Sequence, residues 1–111
     1  MDDSDVRFVI DSLALSAWQT SKSKGFWETD PNDGEQIALM HAELSEGLEA
    51  IRKDLMSDHI AGFTGLEEEL ADVVIRVMQY SHGKKLRLAD AILAKMAFNE
   101  TRPMKHGGKK F

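Results

Sequence analysis

Between residues 37 and 55 the apolar residues Ile37, Met40, Leu44, Leu48, Ile51 and Leu55 recur at intervals of three or four. On a strand, which turns its side chains over at every residue, such a set would scatter to both faces. On an α-helix, at about 100° per residue, it forms one continuous seam. The spacing therefore predicts a helix over about 34–55, with Ser45, Glu49, Arg52 and Lys53 on the opposite side. Three further segments read the same way. Val6, Ile10, Leu13, Ala17 and Trp18 share a face of a first helix over about 5–23, which "KGFWETDPNDG" ends with turn-forming glycine, proline and Asn-Asp-Gly. Thr64 with Glu67 three residues on has the form of a capping box and opens a third helix reaching about Ser81, its apolar set being Leu66, Leu70, Val73, Val74 and Val77. Gly83 and the lysines after it suit the end of that helix, and residues 87–102 form a shorter fourth helix stopped by Pro103. Four helices on short links predict an all-α four-helix bundle, one domain over residues 1–111.

The composition narrows the function. The chain has no cysteine, so it can hold neither a disulfide framework nor a thiolate metal site, and any bound metal must use oxygen or imidazole. A net charge of -5 argues against wrapping a nucleic acid. No run of 18 apolar residues occurs, and "MDDSD" lacks the basic start of a secretory signal, so a soluble cytoplasmic protein without a membrane partner is expected. Five of the ten residues before Phe111 are Arg, Lys or His, which marks a short, basic, flexible tail at about 104–111 and leaves room for an anion site near the C-terminus.

Two acidic pairs interrupt this pattern. Glu43 and Glu46 lie a turn apart on the second helix, on a flank shared with Leu39 and Ala50, where they border the core. Glu69 and Asp72 repeat the arrangement on the third helix. Like charges a turn apart cost little in water, but the cost rises steeply beside apolar surface. Facing one another across a bundle, the two pairs make a four-carboxylate nest suited to Mg²⁺ or Mn²⁺. A di-iron site would need Glu-x-x-His pairs, which the chain lacks, and His41, on a different face, reads as a packed or capping histidine. On the fourth helix the seam begun by Leu88 and Ile92 continues as Lys95, Asn99 and Arg102: a point charge, an amide and a bidentate fork that together suit phosphate oxygens.

These segments resemble the MazG-like all-α nucleoside triphosphate pyrophosphohydrolases over about residues 35–110. The family pattern Glu-x-x-Glu, a gap, then Glu-x-x-Asp is matched by Glu43, Glu46, Glu69 and Asp72, with 22 residues between Glu46 and Glu69. "IALMHAELSEGLEAIRKD", "LEEELADVVIRV" and "KMAFNETRPMKHGGKKF" are similar to the corresponding segments of that group. The resemblance implies Mg²⁺-dependent hydrolysis of a nucleoside or deoxynucleoside triphosphate between the α and β phosphates, giving monophosphate and pyrophosphate. It implies Glu43, Glu46, Glu69 and Asp72 as metal ligands, Mn²⁺ as a substitute cofactor, and Lys95, Asn99 and Arg102 as phosphate ligands. Glu46 or Glu43 would accept the proton of the attacking water. Trp18, Phe26 and Trp27, at the end of the first helix and in the loop after it, are candidates to line an apolar slot for the base.

Leu15, Leu39 and Ile75 leave their stripes, so more than one face of the bundle wants burial, either under loops or in a homodimer or homotetramer of the kind common in that family. Two other readings stand beside the enzyme. One is a hydrolase of the same fold acting on another pyrophosphate-linked metabolite, such as a phosphoribosylated nucleotide. The other is a helical interaction module whose acidic pairs are merely solvated.

Overall fold

The computed structural model of the chain describes residues 2–104, so the expected tail lies, from residue 105 on, outside the described residues. Four helices pack together: α1 (Asp3–Ser23), α2 (Asp33–Arg52), α3 (Gly65–Gly83) and α4 (Leu88–Glu100). Among the described residues there is no strand, only one isolated antiparallel bridge between Met56 and Thr64 that tightens the α2–α3 connector. The architecture is all-α, as the periodicity predicts, and among the described residues no helix is long and apolar enough to cross a membrane.

Helix starts follow their caps. Thr64 Oγ1 accepts from the Glu67 N–H at 3.1 Å while Glu67 Oε1 accepts from the Thr64 N–H at 3.0 Å, the reciprocal pair expected from the sequence. A similar pair between Asp2 and Asp5 starts α1 two residues earlier than the apolar pattern indicates. Helix ends were harder to place. α2 stops at Arg52 rather than Leu55 because Asp54 takes a left-handed φ of 50° and the Leu55 N–H turns back to the Ala50 carbonyl at 3.0 Å. α3 closes in the same way through Lys85 at φ 59°, with the Leu86 N–H on the Ser81 carbonyl at 2.8 Å. Gly83 is therefore not the left-handed terminator of α3. Its missing side chain serves another purpose: a Cβ there would lie 2.1 Å from Cη2 of Trp27, whose ring rests on the helix at that point.

α3 is the central helix, with α2 and α1 packed along it and α4 resting chiefly on α1. α2 meets α3 through small residues. Gly47 and Ala50 are buried, and a Cβ on Gly65 would come within 2.9 Å of the Ala50 Cβ. The loop between α1 and α2 is tied to the end of α3 by Lys84 Nζ, which donates to Asp30 Oδ1 and the Pro31 carbonyl, both at 2.8 Å, and by the Tyr80 hydroxyl, which donates to Asp33.

Contrary to the expectation from spacing, the seam is not the core face of α2: Ile37, Leu44, Leu48 and Ile51, with Leu55 just past the helix end, remain 45 to 54% exposed, and only Met40 of the set is partly buried. The helix instead turns its narrow Gly47/Ala50 flank to α3, because small residues allow the closer approach, and that choice leaves the seam on the surface. Among the described residues the buried apolar ones are Ala14, Ala50 and Ala89.

Candidate metal centre

The flank that α2 gives to α3 carries Glu43 as well as Gly47 and Ala50. With no side chain at Gly47, the helices approach so closely that a Cβ there would sit 3.5 Å from the Glu69 Cβ. Glu43 and Glu69 are thereby forced together. One carboxylate oxygen from each of Glu43, Glu69 and Asp72 lies within 4.8 Å of the others, and all three side chains are partly buried. Glu46, a turn beyond Glu43, is exposed. It lines a cleft of about 270 Å³ that runs from Glu69 to Ser57 and His59 of the α2–α3 connector.

Three like charges this close, half withdrawn from water, cannot all stay ionised without compensation. The group responds in two ways. A hydrogen bond with Glu43 pushes the Glu69 carboxyl up to about 8, with burial and the charges of Glu46 and Glu43 adding to the rise, while the same bond, helped by Arg76, holds Glu43 below the usual carboxylate range against its burial. The two carboxyls thus titrate as a coupled pair, with Glu69 raised and Glu43 lowered. Asp72 is also raised, first by burial and next by the Glu43 charge. The second response is a cation: Arg76 Nε donates to Glu43 Oε1 at 3.0 Å, where the Glu43 side chain is only 14% exposed. Glu69 Oε2 is enclosed with no hydrogen-bond partner.

Arg76 escaped the sequence reading, although its place one turn past Asp72 on the same helix face was a usable signal. So did the connector's own network. Glu68 accepts from Ser57 Oγ at 2.8 Å and pairs with His59 Nδ1 at 2.7 Å, which lowers the Glu68 carboxyl and raises the imidazole. No periodicity in "MSDHIAGFTG" forecasts those contacts.

The other candidates fall elsewhere. Lys95, Asn99 and Arg102 are exposed at the far end of α4, where Lys95 and Arg102 stand 4.6 and 6.0 Å from the Phe98 ring centroid; among the described residues no hydrogen bond or ion pair joins the three to the carboxylates. Trp18 and Trp27 meet edge-on at 6.4 Å, and Trp18 also packs on His82 at 5.0 Å. Phe26 is the one of the three aromatic candidates that lines the cavity of about 440 Å³ between α1 and α3, with Leu13, Ala17, Ile75, Met78 and Gln79. Gln79 Oε1 is buried without a hydrogen-bond partner. His41 is neither packed nor capping: it is exposed in the middle of α2. Glu49 pairs with Lys53 at 2.9 Å across one turn.

Comparison with known protein families, with curated proteins and with solved structures finds no match to this chain. Converging carboxylate oxygens, one of them enclosed and unpartnered, suit a hard divalent cation that prefers oxygen and retains exchangeable waters.

Proposed function

We propose that the chain is a Mg²⁺-dependent nucleotide pyrophosphohydrolase of the MazG-like all-α type, cleaving nucleoside or deoxynucleoside triphosphates between the α and β phosphates to monophosphate and pyrophosphate. The observation that carries the reading is the convergence of Glu43, Glu69 and Asp72 from two helices to within 4.8 Å of one another. With Glu46 they would hold the cation. Bound there, it would polarise the phosphoryl group and lower the pKa of a coordinated water. Glu43 is partly buried and already paired with Arg76, whereas Glu46 is exposed and lines the cleft. Glu46 is therefore the better placed of the two to take the water's proton. Lys95, Asn99 and Arg102, which lie apart from the cluster within one copy of the chain, would reach the polyphosphate from a second copy, and the apolar cavity beside Phe26 is assigned to the base.

The same reading includes a homo-oligomer. A seam of four half-exposed aliphatic side chains on α2, extended by Leu55 just past its end, is larger than scattered surface hydrophobics explain, and a second copy of the chain can cover it self-complementarily. That seam is also the observation that favours the second reading, an interaction module without catalysis.

Product analysis separates them. The wild-type protein is incubated with a panel of nucleoside triphosphates with and without Mg²⁺, beside Glu46→Gln and Asp72→Asn. The enzyme reading expects monophosphate and pyrophosphate only with metal, and two folded but inactive variants. Full metal-dependent hydrolysis by both variants would overturn the site, and no turnover of any nucleotide by folded wild-type protein would overturn the reaction.

A further inference from the structure

Arg76 is the one cation paired, among the described residues, with any of the four carboxylates, and its position is unusual in three respects. It lies one turn beyond Asp72 and two beyond Glu69 on α3, so all three belong to one face. It is partly buried, with 30% of its side chain exposed, beside a partner buried more deeply still. And it binds Glu43 through Nε alone: its Nη groups make no hydrogen bond among the described residues, although a guanidinium can offer a two-pronged fork.

A divalent cation taking the Glu43 carboxylate and a guanidinium hydrogen-bonded to that carboxylate compete, since like charges repel strongly at such separations. We propose that Arg76 is the cluster's resident counter-ion, holding Glu43 until a divalent cation claims it and then turning its free fork to a phosphate oxygen of the substrate. The inference rests on the metal-dependent phosphoryl reading above and adds a residue to it. A released guanidinium beside a bound cation needs a new anionic partner, and the group that brings negative charge to such a site is the substrate's own polyphosphate. Arginine suits both roles because it stays charged throughout, and its planar donors match phosphate as well as carboxylate.

The test uses Arg76→Gln and Arg76→Lys, each checked for helicity and melting temperature beside the wild type. Two quantities are read: affinity for Mn²⁺ alone by calorimetry, and KM for the best nucleotide with saturating Mg²⁺, supported by affinity for inorganic pyrophosphate. Removing the competing cation should tighten Mn²⁺ binding in Arg76→Gln about tenfold, while loss of a charge-assisted hydrogen bond raises KM about 10- to 100-fold. Arg76→Lys, which keeps the charge and loses the fork, should bind Mn²⁺ like the wild type and still show a raised KM. Wild-type turnover with Mn²⁺ affinity and KM both unchanged in Arg76→Gln overturns the inference and leaves the reaction standing. Tighter Mn²⁺ binding with an unchanged KM overturns the phosphate role. A wild type that turns over no nucleotide overturns the reaction instead, and the Mn²⁺ comparison then still decides the counter-ion role. Should Arg76→Gln fail to fold, Arg76→Lys decides: an unchanged KM and pyrophosphate affinity there overturns the phosphate role.

Discussion

Titrating the protein with Mn²⁺ near neutral pH should expel close to one proton for each cluster filled. The reason is the coupled pair of Glu43 and Glu69, in which the Glu69 carboxyl is raised to about 8. A proton held so far above the ordinary carboxylate range stays largely bound near neutral pH and is lost as the pH rises through about 8, and a cation needs both carboxylates ionised. Calorimetry in buffers of different ionisation enthalpy reads the number directly, as the slope of apparent binding enthalpy against buffer enthalpy. Apparent Mn²⁺ affinity should climb about tenfold between pH 6 and 7 and level off above pH 8. The Glu69→Gln variant, with no proton to lose at that position, should bind more weakly and release almost none. The same linkage acts on stability. Glu69 is raised from an ordinary 4.5, so the folded chain binds more protons than the unfolded one. Its contribution is present below about pH 4.5 and is lost as pH rises towards 8; saturating Mn²⁺ should abolish that decline. Tight Mn²⁺ binding with no buffer dependence at pH 7, or undiminished proton release in Glu69→Gln, would refute the coupled pair.

Three further predictions concern the scaffold. Gly83→Ala puts a methyl 2.1 Å from the Trp27 ring, so the indole must move off α3 and its edge contact with Trp18 opens. Thermal melting should report a loss of about 1–3 kcal/mol, and tryptophan fluorescence a shift that an ordinary surface alanine would not cause. Thr64→Ala removes the hydroxyl half of the α3 cap and should cost about 1 kcal/mol in denaturant unfolding, with Thr64→Ser close to wild type. Replacing both Leu48 and Ile51 by Asp should leave each chain helical but shift sedimentation from oligomer to monomer, and a wild type already monomeric at high concentration would refute the role given to the seam.

The α-helical class, the four segments and the Thr64 cap were legible in the sequence because each depends on spacing along one chain, which sets helix faces and capping contacts without reference to partners. The acidic pairs were legible for the same reason, since three-residue spacing alone puts Glu43 with Glu46 and Glu69 with Asp72. Which face of α2 meets α3 was not. The aliphatic seam is the more hydrophobic face, yet Gly47 and Ala50 form the contact, because helix packing rewards close approach and the seam can be buried by something other than α3. That one choice decides the site. It brings Glu43 against Glu69, encloses Glu69 Oε2 and seats Arg76 on Glu43, while the seating of α4 on α1 sends Lys95, Asn99 and Arg102 elsewhere. Charge and burial at a point are set by every element that reaches it, so the coupled pair and the counter-ion belong to the tertiary structure, whereas the residues able to supply them were written in the helices beforehand.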